Sequence, residues 1–163
     1  MSEENRKTGF QPVFDKDSRI LILGSFPSVK SREIDFYYGN KQNRFWRVIC
    51  GFFGENIPET VEDKKAFLKQ YKIALWDMVM SCEIEGSADA SIKNMELADI
   101  PYVLANSKIE KILLNGALAY ELFYNAYKDV EIPFVKMPST SPANPRFNAE
   151  IWRMELNDVF RIY

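Results

Sequence analysis

The sequence predicts an α/β fold, a three-layer α/β/α sandwich around a central, mainly parallel, four-stranded sheet. Three observations lead there. Four short runs are apolar throughout rather than alternately, as in strands buried on both faces. Between them lie stretches with apolar residues at three- and four-residue spacing, as in helices that cover such a sheet. At 163 residues, with 47% hydrophobic and 14% aromatic content, the chain suits one domain with one core. No repeat, low-complexity tract or Pro/Gly-rich linker divides it. A single domain over residues 1–163 is therefore expected, with the polar residues 1–8 as a flexible tail.

In chain order, the first strand is expected at Arg19–Leu23. A helix over Arg44–Phe53 follows, with Phe45, Trp46, Ile49, Cys50 and Phe53 on one stripe. The next helix, Thr60–Tyr71, opens with Thr60 and Asp63 at capping-box spacing. Strands Ile73–Trp76 and Lys111–Asn115 come next, then a helix over Ala117–Tyr127 with Leu118, Leu122 and Ala126 in line. A last strand, Pro133–Met137, leads to a helix over Asn148–Phe160 carrying Trp152, Leu156 and Val159. Open parallel sheets bind ligands beyond the carboxyl ends of their strands. The segments of interest are therefore Gly24–Ser28, Asp77–Ser91, Gly116 and Pro138–Asn144.

Composition narrows the chemistry. The chain has no histidine, which excludes Ser-His and Cys-His catalysis and histidine-bearing metal sites. Its two cysteines, Cys50 and Cys82, stand far apart, which excludes a four-cysteine metal site and fits a reducing, cytoplasmic setting. Chemistry must run on carboxylates, amides, hydroxyls, lysines or backbone dipoles. The N-terminal residues contain no apolar run of the kind that targets or spans a membrane. A net charge of −2 argues against adhesion to nucleic acid over the whole surface. Locally, however, Lys30, Arg32, Lys41, Arg44 and Arg47 face only Glu33 and Asp35.

Three segments can carry function. Gly24-Ser25-Phe26-Pro27-Ser28 makes a tight turn after the first strand that brings backbone N–H groups to a ligand, or simply turns the chain. Tyr37-Tyr38-Gly39-Asn40-Lys41-Gln42-Asn43-Arg44-Phe45-Trp46 sets an aromatic pair, an amide and a cation before a helix. Asn43 fits there as an N-cap, and the segment also suits a flat, hydrogen-bonding ligand such as a nucleobase. Met137-Pro138-Ser139-Thr140-Ser141-Pro142-Ala143-Asn144 is a stiff hydroxyl-rich loop, either a plain connector or a grip for phosphate oxygens.

In this order, together with LWDMV (Leu75–Val79), GSADASI (Gly86–Ile92) and LLNG (Leu113–Gly116), these segments resemble the uracil-DNA glycosylase superfamily, specifically its hypoxanthine-DNA glycosylase branch. The resemblance covers most of the chain. It implies a DNA repair glycosylase that hydrolyses the N-glycosidic bond of deoxyinosine flipped out of duplex DNA and leaves an abasic site. Where many members carry Asp or Asn in the first motif this chain has Phe26, and where others carry a histidine it has Met137. The hypoxanthine branch looks the same at both places, and its catalytic asparagine matches Asn43.

Further roles follow from the resemblance. Tyr38 is a base-stacking ring, and Ser25 and Phe26 line the base pocket through their backbones. Ser139, Ser141, Asn144 and Arg44 contact DNA, and Pro142–Asn144 enters the duplex as a wedge. Asp77 is an alternative titratable participant or a strand-end residue. No metal or organic cofactor is implied, nor a Schiff base, with Lys136 the one lysine near the last loop. The expected partner is duplex DNA containing a deaminated base, bound by a monomer. Alternatives are a mismatch-specific glycosylase acting on uracil in G·U pairs, a hydrolase of free nucleosides or nucleotides, and a non-catalytic nucleic-acid-binding module.

Overall fold

The structure, a computed structural model, describes residues 6–84 and 92–163. In chain order its elements are β1 (Arg6–Thr8), β2 (Ile20–Gly24), α1 (Val29–Ile34), α2 (Phe45–Phe52), α3 (Val61–Gln70), β3 (Ile73–Asp77) and β4 (Val79–Glu83). They continue with β5 (Lys93–Leu97), α4 (Ile100–Ala105), β6 (Lys111–Asn115), α5 (Ala117–Tyr127), β7 (Phe134–Met137) and α6 (Ala149–Phe160). Residues 85–91, which include Gly86–Ser91 of the GSADASI motif and the end of the candidate segment Asp77–Ser91, lie outside the described residues.

Strands β3, β2, β6 and β7 pair in that order, all parallel, as the continuous apolar runs predict. Every residue of β2 and β3 is buried, so helices cover both faces of the sheet. The chain moves from β2 out to β3 and then back across to β6, which makes the β2/β6 boundary the point where strand order reverses. Carboxyl ends of all four strands, at Gly24, Asp77, Asn115 and Met137, point to the same edge of the sheet.

The helices start where their caps dictate. The Thr60 hydroxyl accepts from Asp63 N–H at 3.0 Å to open α3, and the Asn148 amide accepts from Glu150 N–H at 3.0 Å to open α6. On α2, Phe45, Trp46, Ile49, Cys50 and Phe52 are buried, and on α6 Trp152, Leu156 and Val159 are. Helix α5 departs from expectation in part: Ala119 and Phe123 are its buried residues and Leu122 packs half-buried against the core, while Leu118 is half-buried at the cleft and Ala126 is exposed. Its sequence is apolar nearly all round, so spacing alone did not select a face.

A second, antiparallel sheet of β1, β4 and β5 was not foreseen. Residues 6–8, expected to end a flexible tail, form its edge, with Lys7 opposite Cys82. The Arg6 guanidinium donates to Ser81 Oγ and to the Asn94 carbonyl, both at 3.0 Å. Such polar edge strands have no apolar signature: all five residues of β5 are exposed. Val13 also pairs with Leu75 through two hydrogen bonds of 2.9 Å, extending the main sheet beyond β3.

Candidate active site

A cleft of about 370 Å³ opens at the carboxyl edge of the parallel sheet. It lies between the turn after β2, the segment that precedes α2, the first turn of α5 and the loop after β7. Asp77 is the sole carboxylate on its walls among the described residues, and no lysine or arginine lines it.

Gly24 decides how close the floor can pack. A Cβ placed on it would meet Asp77 Oδ1 at 2.5 Å and the Tyr38 hydroxyl at 3.2 Å, so only glycine lets these two groups converge. Asp77 is 5% exposed and its Oδ2 is buried without a hydrogen-bond partner among the described residues; the same holds for the Tyr38 hydroxyl. Burial pushes the Asp77 carboxyl up to about 7, against a smaller opposing pull from the Gly24 backbone N–H. Burial, and then the neighbouring Asp77, raise the Tyr38 phenol well above its ordinary value.

Tyr38 is held by its neighbours in a conformation a tyrosine rarely adopts, with φ +54°, at a cost of roughly 1–3 kcal/mol. Its ring stacks on Phe45 at 4.1 Å and 22°, while the buried Trp46 donates from Nε1 to the Tyr37 carbonyl at 3.0 Å. Ser31 accepts from Gly39 N–H at 2.9 Å and closes the turn from below. The Asn43 Oδ1 accepts from Phe45 N–H at 2.9 Å, which fixes the amide's orientation and leaves Nδ2 without a protein acceptor among the described residues. The N-cap of α2 is Arg44 rather than Asn43, which sits one residue earlier, turns the chain into the helix through its bond to Phe45 N–H, and lines the cleft.

Opposite, the last loop is tied on every side. The Asn115 amide exchanges two 3.0 Å bonds with Thr140, through Thr140 N–H and Oγ1, and Arg44 N–H donates to the Thr140 carbonyl at 3.0 Å. Trp152 Nε1 donates to the Pro138 carbonyl at 2.9 Å. Arg44 Nη1 donates to the Asn144 carbonyl at 3.0 Å, with its guanidinium over the Phe147 ring at 4.9 Å. Asn144 Nδ2 donates to the Ser139 carbonyl at 2.9 Å. Ser139 and Ser141 accept from loop N–H groups at 3.2 Å, and neither hydroxyl donates to another described residue. The first turn of α5 has no side-chain cap and faces the cleft, adding a partial positive charge to this wall.

The sequence-derived candidates Asn43, Tyr38, Ser25, Phe26, Ser139 and Ser141 all line the cleft. Phe26 turns its ring onto the Val79, Cys82 and Ile84 cluster, which suits a backbone contribution. Arg44 and Asn144 do not line it; they brace the loop instead. Lys136 is exposed on β7 and Met137 is buried at 1% exposure. Sequence reading passed over Gly24 as the residue that sets the floor, and over Thr140 and Asn115 as the clasp. The parallel pairing of Gly24 with Asp77 makes the first legible only in three dimensions. A second cleft of about 520 Å³ shares the Tyr38 and Asn43 wall and is bordered by Lys41, Arg47 and Lys64.

No helix of the described residues is long and apolar enough to cross a membrane, and no cluster of three or more acidic or sulfur ligands able to hold a metal forms among them. Comparison with known proteins gives a consistent picture. The profile of the uracil DNA glycosylase superfamily matches residues 11–156. A Methanosarcina acetivorans protein named hypoxanthine DNA glycosylase is 37% identical over 144 residues, covering 87% of this chain and 90% of its own length. A Methanosarcina barkeri protein of the same name is 39% identical over 113 residues, covering 68% of this chain and 72% of its own. The solution NMR structure of a Methanosarcina acetivorans uracil DNA glycosylase candidate superposes with a TM-score of 0.83 at 34% identity, over 94% of this chain and 98% of that one.

Proposed function

The chain belongs to the uracil DNA glycosylase superfamily, and from that premise we propose that it hydrolyses the N-glycosidic bond of hypoxanthine in DNA, releasing the free base and leaving an abasic site. One observation carries the reading: a single cleft gathers an orienting amide, an aromatic ring, an anion-favouring helix terminus and hydroxyl donors, with no lysine on its walls among the described residues. Its volume is in the range of small-ligand sites, and a flipped nucleoside is such a ligand.

Extruding the nucleotide costs roughly a few kcal/mol, less for a mispaired base such as inosine. Tyr38, backed by Phe45, offers a stacking surface worth about 1–3 kcal/mol. The bond then breaks through an oxocarbenium-like sugar, for which placement and charge stabilisation matter more than a strong base. Asn43 is suited to this: Nδ2 is free to donate to the base, and Oδ1 retains a lone pair for water. Hypoxanthine leaves more readily than adenine because its O6 delocalises the developing negative charge, and the open turn of α5 favours charge on that side.

Ser139 and Ser141 supply hydroxyl donors for phosphate oxygens, while Arg44 and Asn144 act by holding their loop. The exposed tip at Pro142 and Ala143 is the proposed wedge. Lys41, Arg47 and Lys64 extend a basic path for the flanking strand. With no lysine on the cleft among the described residues, simple hydrolysis without strand cleavage is the proposed course.

The test is base release from duplexes carrying hypoxanthine, uracil or xanthine, with borohydride trapping run in parallel. Hypoxanthine release is expected, with no trapped adduct, and Asn43→Ala should lower the rate at least about a hundredfold. An Asn43→Ala protein as fast as wild type on every active substrate overturns the role of Asn43. Preferential release of uracil from G·U pairs would replace hypoxanthine as the substrate.

A further inference from the structure

The chain has no histidine, the turn after β2 and the end of β7 carry the apolar Phe26 and Met137, and the amide of Asn43 does not ionise. Asn43 can orient water and base, but it cannot transfer a proton. Yet a purine departing as an anion is a poor leaving group unless its charge is neutralised, and proton donation by a positioned acid accelerates such steps. One ionisable group sits where this is needed. Asp77 stands at the carboxyl end of β3, is the sole carboxylate on the cleft walls among the described residues, and is 95% buried by its 5% exposure. Its Oδ2 has no hydrogen-bond partner among the described residues, although buried carboxyl oxygens are ordinarily satisfied. Gly24 removes the one side chain that would displace it, since a Cβ there would lie 2.5 Å from Oδ1.

The surroundings favour the uncharged acid. From β2 only the Gly24 backbone faces Asp77, and from the segment before α2 come the phenols of Tyr37 and Tyr38. Both phenols are raised above their ordinary range by burial and then by Asp77, so they stay neutral across any practical pH. The α5 turn and the last loop contribute Gly116 to Ala119 and hydroxyl residues, none of which ionises. No cation among the described residues acts on the carboxyl to hold it charged, and burial places its titration at about 7.

We propose that Asp77 is the catalytic acid of this site. As the C1′–N9 bond breaks and its electron pair moves into the purine, the Asp77 O–H gives its proton to the base, which leaves neutral. Water adds to C1′ and its surplus proton restores the Asp77 carboxyl, so the abasic hydroxyl and the free base are the products and the enzyme is regenerated. This rests on the glycosylase reading of the cleft and adds to it the group that carries the proton.

The experiment is single-turnover base release from inosine duplexes between pH 5.5 and about 9, which requires no variant to detect the acid. Wild type is expected to hold a plateau at low pH and to lose about tenfold in rate per pH unit above about 7. Asp77→Asn, close in shape and uncharged, should be slower by about a hundredfold or more at pH 6 and level across the range. Asn43→Ala should be slower throughout while keeping the descending limb. A wild-type profile that is flat, or that rises through pH 7, overturns the proposal, as does an Asp77→Asn protein that keeps wild-type rate and limb. Release with a flat profile would overturn this assignment alone; absence of release from every duplex at every pH would overturn the glycosylase reading, and this assignment with it.

Discussion

The two walls of the cleft differ in how fully their polar groups are satisfied. On the last loop, Asn115, Thr140, Arg44, Trp152 and Asn144 form a connected set of hydrogen bonds that immobilises the backbone. At the floor, by contrast, Asp77 Oδ2 and the Tyr38 hydroxyl are buried with no partner among the described residues, and Tyr38 is held at φ +54°. Buried polar groups are normally paired, and departures from that rule gather where proteins act rather than where they merely fold. On the function proposed above, the loop is the positioning device and the floor the place assigned to the chemistry.

The largest expected effect tests the cost of that floor. A carboxyl titrating at about 7 when folded, against an ordinary 3.8, binds its proton more tightly in the folded protein. Its stabilising contribution is full below about pH 4, declines as pH rises, and is lost above about 7, a change on the order of 4 kcal/mol. Asp77→Asn lacks this titration, so the variant should gain stability relative to wild type across the same window. Urea denaturation of both proteins at pH 4 and pH 8 checks it, and taking the difference cancels groups that titrate in both, including Asp17 and Asp158, whose carboxyls are held below their ordinary range by Lys108 and Lys111. A constant difference would mean that Asp77 is charged in the folded state.

Gly24→Ala tests the floor's geometry. The added methyl meets Asp77 Oδ1 at 2.5 Å and must displace the carboxyl, so base release should fall by about a hundredfold while DNA binding changes little. Titration of binding alongside single-turnover rates separates the two. Full activity would show that the carboxyl need not sit where it does.

The smallest effect is expected on the satisfied wall. Thr140→Val keeps the shape but removes the acceptor of Asn115 Nδ2, leaving a donor unpaired at a cost of about 1–3 kcal/mol. Denaturation should register that loss, whereas the rate of base release should drop by no more than about tenfold, because five further hydrogen bonds still hold the loop. A rate loss as large as that of Asp77→Asn would erase the distinction between the walls.

Legibility in the sequence followed burial. The four parallel strands were plain because residues such as Ile20–Leu23 and Ile112–Leu114 are buried on both faces and must be apolar. The small antiparallel sheet was hidden because Arg6–Thr8 and Lys93–Leu97 lie at edges, where polar residues are as suitable as any. Within the site, Asn43 and Tyr38 stood out through a local motif and were brought to the cleft. Arg44 looked like a phosphate ligand because its charge is visible in sequence, while its fold-determined partners, the carbonyls of Asn144 and Ser141, are about a hundred residues away. Asp77 stayed open between a titratable participant and an ordinary strand end for the same reason.

By itself, then, the sequence determined the residue chemistry and the local periods: no histidine, an α/β alternation, and a set of motifs that resemble those of the superfamily whose profile it matches. Tertiary structure decided which of those residues is deprived of water and partners. Parallel pairing places Gly24 beside Asp77, and Tyr38 closes over them from a different part of the chain. A carboxyl's proton affinity depends on its solvation and neighbours, which are properties of packing and not of residue identity.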